Sequence, residues 1–331
     1  MSITRRNFAQ LGAASLGAAL TPFRLSAQPA AAAAAMDFPV TTPEPRSDRF
    51  HFAVLSDTHI IDRFYKPGSE NGAEDNESIL KANDRLVAAR EVLNNVRFSD
   101  GSRIEQYFLP GDVFHNYPSA DYDFYFQNET RLDIAKKLLD GFNAPVHVGW
   151  GNHDYDVPRV SREMSHRLFE AKFKTKPYWA MDMHGFRILM LNNFLGDTWD
   201  SKSPNFHKDL GSLGEEQLQW LEAQLAERKP TLIFIHYPLC SVVPVEVRDF
   251  GLYPLLRRYQ TTIQMVIAGH WHKWIDFAHT YGPKHMVIAS TRYDEHAYML
   301  FEANARDGVI RWLDNSRVEW ATHFSEPYPL G

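Results

Sequence analysis

A single cysteine, Cys240, has no partner for an internal disulfide. Cohesion must therefore come from packing, hydrogen bonds or bound ions. No His/Asn pattern is dedicated to that thiol, which reads as a buried, inert side chain. No apolar stretch approaches the roughly 20 residues of a membrane-crossing helix, so no stable membrane span is expected. Basic residues fall short of acidic ones, 35 against 41, for a net charge of −6. That balance argues against a surface built for a nucleic-acid polymer. Internal repeats are missing, and low complexity is confined to the alanine run Ala30 to Ala35. What is present is ample: 331 residues, 44% hydrophobic and 13% aromatic, can bury a large core in one domain or two tightly joined ones.

The first 35 residues read as separate from the fold. Thr4-Arg5-Arg6-Asn7-Phe8-Ala9-Gln10 precedes thirteen weakly apolar residues, Leu11 to Phe23. Paired arginines, a Phe two residues on and a short apolar segment resemble a twin-arginine signal peptide. Cleavage is expected at Leu25-Ser26-Ala27 or within the alanine run. The implied partner of the precursor is the twin-arginine export machinery, and the implied destination is the periplasm or the exterior. Residues 36–48 are a Pro-rich linker, and residues 49–331 form the folded domain. Without residues 1–35 the chain keeps 32 basic and 41 acidic residues, a net charge of −9. Because this route carries folded proteins, a metal can be loaded before export.

Along the folded part, short apolar runs alternate with helical periodicity. Strands are expected at Phe52 to Leu55, Tyr107 to Leu109, Pro145 to Val148, Leu232 to Ile235 and Met265 to Ala268. Helices are expected over Glu77 to Val96, Glu129 to Leu139 and Ser161 to Ala171. A further helix follows a capping box, Ser212-Leu-Gly-Glu215, with Leu218, Leu221 and Leu225 as its buried stripe. Tyr178 to Asn192 reads as a hairpin turning at His184-Gly185. Close-spaced runs at His285 to Ala289, Ala297 to Glu302 and Val309 to Leu313 read as antiparallel strands. The pattern is that of an α/β core with a mixed sheet.

Five of these strands end in residues that bind metals: Asp57 and His59, Asp112, Asn152, His236, then His270 and His272. In an extended chain, residues two apart face the same side, so Asp57 and His59 aim a carboxylate and an imidazole at one point. Such donors suit a borderline divalent cation. Gly111, Gly151 and Gly269 let the backbone turn sharply beside them. Seven ligands exceed one tetrahedral site but fit two cations sharing a carboxylate.

The order Asp-x-His, Gly-Asp, Gly-Asn-His-Asp, His, Gly-His-x-His across residues 50–272 resembles the calcineurin-like metallophosphoesterase family. The resemblance implies a sandwich of two mixed sheets flanked by helices, and two divalent metal ions (Mn, Fe, Zn or Co). It implies that Asp57, His59, Asp112 and His272 hold one ion. It implies that Asp112, Asn152, His236 and His270 hold the other, with Asp112 bridging. A hydroxide between the ions would be the nucleophile, and His153 the acid that protonates the leaving oxygen. Where the protein-phosphatase branch has a second Asp three residues after the bridging one, this chain has His115, so Asp154 is taken as the residue that orients His153. The purple acid phosphatase branch has a Tyr ligand at the position of His115 and lacks the first-strand His, so this chain is not of that kind.

His115 is either a substrate contact or a plain loop histidine. Phe114, Tyr117, Tyr122, Phe124, Tyr125 and Phe126 either line a substrate pocket or pack beneath a long loop, and Tyr117 is the one assigned to substrate. His147 is expected to face the other side of its strand. The function expected is hydrolysis of small extracytoplasmic phosphate esters, with diesters favoured because only Arg159 and Lys273 are basic within the five loops. A phosphomonoesterase or nucleotidase of the same fold is the alternative. A non-catalytic scaffold should have lost ligands, and none of the seven is lost.

Overall fold

The computed structural model describes residues 49–68, 72–247, 250–313 and 318–319. The signal-peptide and linker assignments, residues 1–35 and 36–48, lie outside them.

Two mixed sheets carry the fold. The first contains β1 (Arg49–Leu55), β3 (Gln106–Leu109), β4 (Val146–Val148), β11 (Tyr298–Asn304) and β12 (Val309–Trp312), in the order β12-β11-β1-β3-β4. The second contains β5 (Trp179–Met183), β6 (Phe186–Met190), β7 (Thr231–Ile235), β8 (Ile263–Ala268), β9 (Ile275–Ala278) and β10 (His285–Val287), in the order β5-β6-β7-β8-β10-β9. A small ribbon pairs β2 (Arg97–Phe98) with β13 (Val318–Glu319). β1, β3 and β4 run parallel, as do β6, β7, β8 and β10. The strand-rich end is therefore only partly antiparallel: β11 and β12 are, while β10 joins β8 in parallel.

Period-two alternation decides what each sheet buries. Phe50, Phe52 and Val54 of β1 pack in one cluster with Phe108, Phe186, Ile188, Leu232, Phe234, Ile267 and Phe301, drawn from both sheets. Stacked Phe108 and Phe234, 4.6 Å between centroids, join one sheet to the other. The alternate residues, Ala53, Leu55, Tyr107, Leu109, Ile233, Ile235 and Val266, pack with helices. These are α1 (Ala73–Leu80), α2 (Ala82–Asn95), α3 (Phe124–Gln127), α4 (Arg131–Leu139), α5 (Arg162–Phe173), α6 (Glu215–Ala226) and α7 (Leu252–Arg258). None of the described helices is long and apolar enough to cross a membrane.

Two local expectations are corrected. The helix read as continuous from Glu77 is two, hinged at Lys81. The cap of α6 is Gly214 at φ +81°, not Ser212. Ser212 Oγ instead accepts from the Thr198 N–H, and the Glu246 carboxylate receives the Leu213 and Gly214 N–H groups at 2.7 and 2.8 Å. A carboxylate 31 residues or more downstream serves the helix terminus better than a local hydroxyl.

Candidate metal centre

The carboxyl ends of β1, β3, β4, β7 and β8 converge, and each carries its ligand-type residue into the turn that follows. Backbone hydrogen bonds continue past the strand ends: Asp57 N–H donates to the Gly111 carbonyl, His59 to Asp112, Ile60 to Val113, and Gly269 to His236. Asp57 and His59 do not converge as neighbours on an extended strand. Both are left-handed, at φ 53° and 46°, as are Asp112 at 50°, His270 at 70° and His272 at 55°. Such conformations cost free energy for non-glycine residues and persist only where the surroundings impose them. Here the crossed backbone bonds impose them. Gly151 is obligatory for close approach, since a Cβ there would overlap Asp112 Oδ1 and the Asp112 amide.

Among the groups of donor atoms that result, two share Asp112. Asp57, His59, Asp112 and His272 form one, and Asp112, His236 and His270 the other, with the atoms of each within 4.8 Å of one another. Asn152 joins the second through Oδ1, 3.1 Å from His236 Nε2. His236 Nε2 also lies 3.2 Å from Asp112 Oδ2, and His272 Nε2 lies 3.2 Å from Asp57 Oδ1. The other oxygen of Asp112 is anchored: Oδ1 accepts the His153 N–H at 2.8 Å. His236 Nδ1 donates to the Pro110 carbonyl at 3.2 Å, leaving Nε2 to face the oxygens.

The fit to cations rests on what is unsatisfied. His59 Nε2, Asp112 Oδ2 and His272 Nε2 are all buried without a hydrogen-bond partner. Orphaned buried acceptors are costly and rare, and three facing one small space call for a positive charge. Burial disfavours charge on His236, yet the Asp112 and Asp57 carboxylates raise it to about 9. Burial likewise opposes ionised Asp112, and the His236 and His153 imidazoles more than offset this and hold its carboxyl below the usual range. His270 is pushed down to about 3 by burial and the neighbouring His236. The donor set, imidazoles with carboxylates and one amide oxygen, suits two divalent ions sharing Asp112.

Around this centre the remaining assignments divide. His153 lies beside it, its ring centroid 4.6 Å from that of His59. Its Nδ1 meets Asn116 Oδ1 at 2.9 Å. Asp154 does not orient it, which corrects the expectation. The Asp154 carboxylate is fully buried and receives the N–H groups of Gly151 at 2.8 Å, Val113 at 3.1 Å and Phe114 at 3.4 Å. It ties the β3 turn to the β4 turn. Asn116, at φ 55°, was missed because its position one residue beyond His115 carries no spacing signal.

Tyr117 is also corrected: it is buried, packs against Phe114 and Tyr125, and donates its hydroxyl to the Asp154 carbonyl. It belongs to the core and not to a substrate surface. His115 is buried at the centre's edge, Nδ1 to Nδ1 with His59 at 3.1 Å. His147 packs on Phe108 at the sandwich interior, and His184 turns the hairpin.

Of the basic residues, Arg159 is turned onto the Tyr117 carbonyl and Asp156. Arg292, 4% exposed, is brought near: its backbone N–H donates to the Asp57 carbonyl, and burial together with its charge holds down His59, His115 and His153. Its Nη2 is paired with Asp75 Oδ1 at 2.9 Å.

Comparison with known proteins shows the family and the fold. A protein of Arcobacter nitrofigilis described as a probable glycerophosphodiester phosphodiesterase, GpdQ, is 25% identical over 240 residues, which is 66% of this chain and 79% of that one. The crystal structure of a dimetal phosphatase from Danio rerio shares the fold with a TM-score of 0.51 at 19% identity, covering 77% of this chain and 93% of the other. Residues 50–274, from the first strand to just past the last ligand-type histidine, match the model of the calcineurin-like phosphoesterases, and this chain belongs to that family of metal-dependent phosphoester hydrolases.

Proposed function

We propose that the chain is a two-metal phosphodiesterase for small phosphate diesters outside the cytoplasm. The observation that carries the two-metal reading is the trio of buried, unpartnered acceptors around Asp112. Asp57, His59, Asp112 and His272 would hold one cation, and Asp112, Asn152, His236 and His270 the other. When bound, such a pair supplies positive charge against the phosphoryl oxygens and makes a water acidic enough to attack phosphorus at neutral pH.

The chain's own residues do the rest. Asp112 Oδ1, fixed on the His153 N–H, keeps Oδ2 turned toward both groups. Asn152 contributes oxygen without charge, which limits the negative field that an anionic substrate meets. The Asn116 oxygen holds a proton on His153 Nδ1, so Nε2 is the nitrogen that can exchange a proton with the departing ester oxygen. Burial lowers His153, with Asp112 opposing. A phosphate anion alongside would favour the imidazolium needed for acid catalysis.

The diester preference has two supports. The Arcobacter relative is described as a diesterase. Also, a monoester is nearly a dianion at neutral pH and calls for free arginine, whereas Arg292 is already paired with Asp75. The kcat/KM for bis-nitrophenyl phosphate is expected to exceed that for nitrophenyl phosphate. A preference for the monoester of about tenfold, or 1.4 kcal/mol, would return the assignment to a phosphomonoesterase.

The export reading is supported by Thr4 to Gln10. Replacing Arg5 and Arg6 together by Lys should strand precursor in the cytoplasm. Normal periplasmic yield of that variant would remove the twin-arginine route from the account.

A further inference from the structure

His59 and His115 meet nitrogen to nitrogen. Their Nδ1 atoms are 3.1 Å apart, and both rings are buried, at 0% and 9% exposure. A hydrogen bond between two imidazole nitrogens needs one proton and one lone pair, so the direction of this bond fixes the tautomer of both rings. If His115 donated, the remaining proton of neutral His59 would sit on Nε2. That atom has no acceptor: the Asp112 carboxylate oxygen Oδ2 is 3.5 Å away and makes no hydrogen bond with it. A fully buried N–H would be orphaned, and no lone pair would face the cation group. If His59 donates, Nε2 carries a lone pair toward the same space as Asp112 Oδ2 and His272 Nε2.

The backbone makes this encounter rigid. His115 N–H donates to the Ile60 carbonyl at 3.0 Å, and Ile60 N–H to Val113 at 3.1 Å. The Arg131 guanidinium, paired with Asp62 at 2.9 Å, grips the His115 carbonyl. The two histidines thus ride on crossed strand extensions that cannot slide independently. Metal-bound histidines usually donate their second N–H to a carboxylate or carbonyl. Here the acceptor is an imidazole that also stacks on His153, with centroids 4.7 Å apart.

We infer that His115 is a positioning residue that accepts the His59 Nδ1 proton, thereby aiming the His59 Nε2 lone pair at the cation shared with Asp57, Asp112 and His272. The inference rests on the two-metal reading above. Its rival is a third cation among His59, His115 and His153, whose nitrogens also lie within 4.8 Å of one another.

The test uses the whole chain with cobalt(II) as probe, titrated by visible absorption with chelator competition. The variants are His115→Asn, whose side-chain oxygen replaces Nδ1 as acceptor, and His115→Gln, whose oxygen reaches instead to the Nε2 position. The unmodified chain should bind two cobalt ions. His115→Gln should weaken one of them by about 10- to 100-fold, the usual cost of losing such a partner, while His115→Asn stays within about threefold on that scale. Melting of the metal-free variants reports separately on folding. Equal affinities in both variants, or a third ion that both variants lose, would overturn the inference. An unmodified chain that binds no cobalt would instead strike at the two-metal reading.

Discussion

Asp112→Asn should cut turnover about a thousandfold and weaken both metal groups together. Asp112 is the only side chain common to the two donor sets, with Oδ2 3.2 Å from His236 Nε2 and 3.5 Å from His59 Nε2. Asparagine keeps the size and one oxygen. If that oxygen retains the His153 N–H, the amide nitrogen replaces Oδ2 and points N–H hydrogens at the space where positive charge is required. The substitution therefore removes one negative charge and inverts one dipole at the shared point. A loss of about 4 kcal/mol in stabilisation of the phosphoryl oxygens, within what a metal pair supplies, is about a thousandfold in rate. The measurement is kcat/KM on bis-nitrophenyl phosphate together with the metal content of the same sample. Activity within tenfold of the parent with both ions retained would show that Asp112 is not the bridge.

His153→Ala should separate substrates by leaving group. The departing oxygen of an alkyl ester must be protonated, whereas nitrophenolate leaves unaided. Proton transfer from a positioned side chain is worth about 10²–10⁴-fold, so the alkyl diester should lose about that much and the nitrophenyl diester far less. Asn116 sharpens the prediction, because its oxygen commits the His153 Nδ1 proton and leaves the exchange to Nε2. Equal losses for both leaving groups would assign His153 to binding instead of proton transfer.

The parts of this molecule legible in the sequence share a physical reason. The strands that carry the site are short, mostly apolar runs, and each ends abruptly in residues that a core cannot keep. Phe52 to Leu55 followed by Ser-Asp-Thr-His announces both a buried strand and a polar terminus. What was not legible depends on contacts far apart in sequence. Arg292 approaches through a bond to the Asp57 carbonyl, 235 positions upstream. Asp154 follows His153 in sequence, but a short 3₁₀ turn sends its carboxylate back to three amides and away from its neighbour's ring. Tyr117 stands in an aromatic loop whose composition suits a pocket equally well, and only burial beside Phe114 and Tyr125 decides for the core. The division into two sheets was likewise closed to local reading. Period-two alternation is the same on one mixed sheet as on two, and contacts between sheets, such as Phe108 with Phe234 and Phe50 with Phe186, show which strands face each other.

The account turns on one number, the metal ions held per chain. Elemental analysis of protein purified without chelator, paired with its activity on a phosphate diester, should find two divalent ions, activity lost on chelation, and activity restored when ions are returned. Active protein carrying one ion or none would contradict it.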